Sequence, residues 1–345
     1  MELEFTVEIG DISEFSADVI VLKHAQAFYG ADEFISNKLG RAGIPKSIMS
    51  PLPGDYAYLD TQGGLVAPKI LFVGVPPLGD FGYPQIRDFA SDSLTALSRE
   101  APETRHIAAT VHGVGSGLDE VEAFLAQLAG YLQVLQEGGG PPGLRRISIV
   151  DRNYDRVQRL RSILNQNLSK ANYAKKMESG LGYHLSLGPY PIGHVASEKD
   201  IPPTSAITSA GSKNEIKPNV FVAMPFDKKM DDLFHYGIQQ TVRNEEFICE
   251  RVDQEVFIGD IIDKVKEKIE TSKIVIAELT GSNPNVYLEL GYAWGKGRPT
   301  ILLASKEEKL LFDVRGQRCL RYESIKELED LLKRELKLLK EQNIL

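Results

Sequence analysis

The stretch 274–293, IVIAELTGSNPNVYLELGYA, constrains the fold more than any other part of the chain. It opens as a continuous apolar run, breaks at Gly281 and Ser282, and resumes with helical spacing, which reads as a buried strand feeding a helix through a tight loop. Asn283 followed by Pro284 marks the helix start. An Asn side chain can accept an orphan N–H, and proline loses nothing at the first helical position. Val286, Leu290 and Ala293 then share one face, with Asn285, Glu289 and Tyr292 as a stripe beside it. Glu289 falls in about the second turn, at the edge of the buried stripe. The helix dipole, worth roughly 0.3–1 kcal/mol, is expected to keep it ionised, which makes it a candidate nucleophile or base. From spacing alone, a solvated helix carboxylate is the plainer reading.

Around this stretch, strands at about 219–224, 247–252, 274–279 and 299–304 alternate with helices at about 228–243, 259–271, 284–296 and 324–340. The pattern predicts a short parallel, flavodoxin-like sheet over 218–345. Ligands of such sheets bind beyond the strand carboxyl ends. Met224, Phe226 and Asp227 follow the first strand, Asp253 the second, and Glu278 and Asn283 the third, with Glu289 on the helix behind them. These are the expected site residues.

The stretch 277–293, taken with 220–227 (VFVAMPFD) and 298–303 (RPTILL), resembles the TIR-like and nucleoside 2-deoxyribosyltransferase-like families over about residues 217–340. The resemblance implies that Glu289 attacks or stabilises the anomeric carbon during N-glycosidic bond cleavage. Glu278, where the family has aspartate, or Asp253 would hold ribose hydroxyls. Asn283 and Asn285 would orient hydroxyls or phosphate, Asn283 being equally a simple cap. Phe226 and Tyr292 would offer apolar faces to a base. NAD is the implied substrate and no cofactor is required.

Residues 1–185 alternate strands, at 4–8, 17–22, 69–73, 105–111 and 146–150, with helices at about 31–42, 83–99, 119–136 and 155–167. That predicts an α/β sandwich. The order of segments is similar to the macro-like N-terminal domain of M17 leucine aminopeptidases, and the stretch 10–21 (GDISEFSADVIV) resembles the opening of macrodomains, which bind ADP-ribose and related nucleotides. The resemblance puts Asp11 or Asp18 against an adenine. The strand ends in Leu22, Lys23, His24 and Ala25 rather than the family's Asn-Ala-Ala-Asn, so macrodomain hydrolysis is not expected; without a zinc peptidase domain, neither is peptidase activity. His112, Gly113, Gly115, Ser116 and Gly117 form a glycine-rich loop between strand and helix whose N–H groups could cradle a phosphate. A tight turn before a helix is the plainer reading of the same glycines. Residues 186–217, rich in Pro, Ser and Thr, read as a linker.

A net charge of −8 argues against a nucleic-acid groove as the main surface. Two cysteines, Cys249 and Cys319, suggest neither a disulfide framework nor a metal site. No apolar run approaches the ~18 residues of a membrane span. Glu2 and Glu4 lack the character of a signal peptide, and a cytoplasmic location is expected. Three functions follow. One is a bacterial anti-phage effector in which the macro-like half senses a nucleotide-derived signal and the TIR-like half hydrolyses NAD, with homo-oligomerisation implied by the TIR resemblance. The second is a nucleoside or deoxynucleoside N-glycosidase or transferase. The third is a non-catalytic nucleotide-binding adaptor.

Overall fold

The computed structural model describes residues 1–77, 80–113, 118–187, 205–212, 218–225, 227–251 and 261–342. Contacts divide the chain into two units, 1–114 with 120–215, and 115–119 with 216–345.

The first unit holds an eight-stranded mixed sheet. In chain order it comprises β1 (Glu2–Ile9), β2 (Val19–His24), α1 (Gly30–Arg41), β3 (Tyr56–Asp60), β4 (Lys69–Gly74), α2 (Tyr83–Glu100), β5 (His106–Ala109), α3 (Glu120–Gln136), β6 (Arg146–Asp151), α4 (Tyr154–Leu168), β7 (Ala174–Lys176), β8 (Gly182–Ser186) and α5 (Ser205–Ser209). The strand order is β3-β4-β2-β5-β6-β1-β8-β7. The five central strands are parallel, and β3, β8 and β7 pair antiparallel at the margins. Those three margin strands are the ones the sequence pattern does not single out. Part-exposed edge strands such as 56–60 (YAYLD) carry little apolar signal.

One sheet face packs Ile20, Leu22, Ile70, Phe72 and Ala108 against Ile35 and Leu39 of α1. On the other, Phe5 lies 6.1 Å from Phe124 of α3. Helix α3 is buried on nearly every face, as its apolar residues, spread around the whole circumference, require. In the described part of residues 186–217, Ile207 and Ala210 are buried, and Arg87 donates to the carbonyls of Thr208 and Ala210 at 2.9 and 3.1 Å, so this part packs on the first unit.

The second unit is a five-stranded, all-parallel sheet built from β9 (Asn219–Ala223), β10 (Ile248–Glu250), β11 (Ile274–Glu278), β12 (Thr300–Ser305) and β13 (Cys319–Tyr322). Its order, β10-β9-β11-β12-β13, is the flavodoxin-like one. The fifth strand, β13, escapes the sequence pattern because its part-exposed Cys319 and Arg321 alternate with Leu320 and Tyr322 and leave no continuous apolar run. A π-helical turn (Leu233–Gln239) runs into α6 (Gln240–Asn244), followed by α7 (Ile261–Thr271), α8 (Pro284–Gly295) and α9 (Ile325–Glu341). Successive strand residues alternate between two cores. Val220, Val222, Ile274 and Ile276 meet the π turn, α6 and α9. Phe221, Ala223, Val275 and Ala277 meet α7 and α8. The α/β two-domain fold is therefore as the sequence predicts.

Candidate active site

The loop from β11 to α8 turns through two left-handed residues, Gly281 (φ 79°) and Ser282 (φ 51°). A positive φ at a non-glycine residue costs energy that surrounding bonds must offset. Here Glu308 supplies them, accepting from Gly281 N at 2.8 Å and Ser282 Oγ at 3.1 Å. Asn283 Oδ1 accepts from Asn285 N at 2.9 Å, so Asn283 acts as the helix cap.

With the start of α8 fixed, Asn285, Leu288, Glu289 and Tyr292 point toward α7. They face Ile262, Val265, Lys266 and Ile269 across a hollow of about 250 Å³. Glu289 is half-buried, and among the described residues its carboxyl has no hydrogen-bond or ion-pair partner. Burial alone pushes it up to about 7. That corrects the expectation of a carboxylate kept ionised by the helix dipole, because desolvation of the charged form outweighs a dipole that fades beyond the first turn. At neutral pH the group is close to half protonated. Tyr292 is held at the wall by its hydroxyl, which donates to Glu270, itself paired with Lys296 at 2.6 Å.

Of the other expected residues, the described ones, Glu278, Met224 and Asp227, do not line this hollow. Glu278 is fully buried, and its carboxyl accepts from Tyr322 Oη at 2.8 Å and from Thr280 N and Oγ1. Burial raises its pKa against those bonds. It ties β11 to β13. Met224 is a core residue beside Phe234. Asp227 caps a short 3-10 turn, accepting from Lys229 N at 3.0 Å. Phe226 and Asp253 lie outside the described residues.

The hollow is thus walled by two helices on one sheet face and not, as the fold rule suggests, by strand ends. The α7 wall went unread in the sequence because Ile262, Val265 and Ile269 have the spacing of an ordinary core stripe. Only the exposure of Ile262 and Leu288, at 55% and 66%, marks the apolar rim.

In the first unit, Asp11 follows β1 and is engaged by Ser13 N at 2.9 Å and by Arg152. Asp18, the other candidate against an adenine, accepts from Arg105 N and His106 N at 2.8 and 2.9 Å and so braces the start of β5. His112 is buried, packs edge-on against Phe89 at 4.4 Å, and leaves Nε2 without a partner. Burial, with Lys23 adding, lowers it well below its ordinary value, so it is neutral. Gly113 follows in a left-handed turn (φ 84°), while Gly115, Ser116 and Gly117 lie outside the described residues. Where macrodomains carry the asparagine motif, Lys23 is buried in an ion pair with Asp32, and His24 Nδ1 bonds the Pro51 carbonyl at 3.0 Å. Among the described residues no cluster of His, Cys, Asp or Glu is arranged to hold a metal, and no helix is long and apolar enough to cross a membrane.

No protein-family model matches the chain, and no curated protein matches it. Among solved structures, a Clostridium botulinum CMP N-glycosidase is 21% identical, with 34% of this chain and 98% of that one covered and a TM-score of 0.28. An Oceanobacillus iheyensis macrodomain solved with ADP is 17% identical over 49% of this chain and 98% of its own, with a TM-score of 0.39. A Trypanosoma brucei macrodomain in complex with ADP-ribose is 16% identical over 45% of this chain and 67% of its own, at 0.37. Similarities this low leave the activity to be argued from the chain's own residues.

Proposed function

We propose that the second unit cleaves an N-glycosidic bond in a nucleotide-derived substrate, NAD foremost, with Glu289 facing the anomeric carbon. The observation that carries this reading is a carboxyl without a partner among the described residues, half-buried at an apolar wall and pushed up to about 7. Glycosidic cleavage develops positive charge on the sugar ring, and a carboxylate shielded from water stabilises that charge or traps it covalently. A positively charged nicotinamide riboside entering the hollow favours the ionised form of Glu289, so substrate binding itself arms the group. Water completes the reaction, and no cofactor is consumed.

At about 250 Å³ the hollow is smaller than the roughly 300–1,000 Å³ typical of whole-ligand sites. It suits the base and ribose of NAD, with the remainder outside. The same size favours a second reading, a glycosidase for simple nucleosides or nucleotides. In the first reading the first unit receives a nucleotide-derived signal before NAD is destroyed, the logic of an anti-phage effector. The presence of two separately cored units supports that regulation.

The test incubates the full chain with NAD and with a nucleoside and nucleotide panel, following free base by chromatography, beside Glu289→Gln. The expected result is NAD turnover, reduced about 10²–10⁴-fold in the variant. kcat/KM should rise as pH increases through about 7, where the carboxyl ionises, and level off above it. Turnover of nucleosides but not NAD establishes the second reading, and a Glu289→Gln protein as active as wild type removes Glu289 from the chemistry.

A further inference from the structure

A second hollow, of about 400 Å³, lies in the first unit at the amino ends of its parallel strands. β5, β6 and β1 start side by side there, and β8 returns antiparallel beside β1. The register sets His106, Arg146, Glu4 and His184 in one row across the four strands, so their side chains emerge on the same face. Arg105 and Arg145 immediately precede β5 and β6 and also line the hollow.

The backbone presenting them is firmly held. Arg105 O accepts from Arg145 N and Arg146 N at 2.8 and 2.9 Å, and Arg105 N donates to Asp18 Oδ2 at 2.8 Å. Of the three guanidinium groups, Arg146 is satisfied by Glu4, with Nε donating to Oε2 at 2.6 Å. Arg145 spends one nitrogen on the carbonyls of Pro142 and Leu144, at 3.3 and 2.9 Å. Among the described residues the Arg105 side chain has no hydrogen-bond or ion-pair partner. Arg105 and Arg145, one residue before that row, thus both bring spare donors to the lining of one concavity.

We propose that this hollow binds a small phosphorylated ligand carrying two or more phosphoryl groups, held chiefly by Arg105 and Arg145. Guanidinium forks match phosphate oxygens two at a time, and a single-charged anion would leave one fork unanswered. Glu4 orients Arg146 and restricts the site to ligands with enough charge to compete with it. The site lies at the opposite strand ends from Asp11 and His112, roughly 20 Å away along strands rising about 3.3 Å per residue. It does not depend on the glycosidase reading of the second unit.

Calorimetric titration of the full chain with inorganic pyrophosphate at low ionic strength tests it. Saturable one-to-one binding is expected, weakened about tenfold or more in Arg105→Gln and further in Arg105→Gln/Arg145→Gln. Both arginines are exposed, so the variants should melt with the wild type. Arg152→Gln, which removes the partner of Asp11 at the other strand ends, should titrate as wild type. Absence of saturable binding, binding undiminished in the double variant, or citrate binding as tightly as pyrophosphate would each overturn the assignment.

Discussion

Glu289 and Glu278 are both acidic residues near the end of one strand–loop–helix unit, yet the structure gives them opposite fates. Glu278 is saturated by Tyr322 and Thr280, whereas Glu289 has no partner among the described residues and is pushed from 4.5 up to about 7. A carboxyl whose folded-state pKa lies above its unfolded one binds more protons when folded, so its contribution to stability falls as pH rises. Here the loss accumulates between about pH 4.5 and 7 and is complete above. At 1.36 kcal/mol per unit, reduced for partial exposure, the penalty is about 2 kcal/mol. Glu289→Gln should therefore be more stable than wild type at pH 8 and gain little at pH 4, as read by urea denaturation at the two pH values. Tyr322→Phe should do the reverse kind of damage, leaving the buried Glu278 short of a donor at a cost of about 1–3 kcal/mol in the same assay.

At the level of elements, close approach is what the sequence cannot state. Gly130 sits in the middle of α3 with no local reason to be glycine. A Cβ there would lie 2.2 Å from the Arg87 carbonyl oxygen and 2.8 Å from Ala90 Cβ, both on α2. Gly130→Ala would gain helix propensity but force the two helices apart, and thermal melting should show a net loss of about 1–3 kcal/mol. The elements themselves were largely legible. The main helices and the buried parallel strands announce themselves by period and by continuous apolar runs. The strands missed, β3, β7, β8 and β13, are short or part-exposed, and they form because a neighbouring strand edge is available.

The whole molecule comprises two units, each with its own sheet and core. Separate cores favour separate unfolding transitions over a single all-or-none one. Calorimetry of the full chain should resolve two transitions, and at pH 8 Glu289→Gln should shift only the one belonging to the second unit. A single transition shifted as a whole would mean that the units unfold together. What the sequence determined was the alternation of strands and helices, the parallel second sheet and the position of Glu289 near the start of its helix, because these follow from local period and from capping chemistry at Asn283. What only the tertiary structure decided was which acidic group is free. That depends on Tyr322 reaching Glu278 from β13 and on α7 closing an apolar wall opposite Glu289, contacts between residues far apart in the chain that local patterning does not encode.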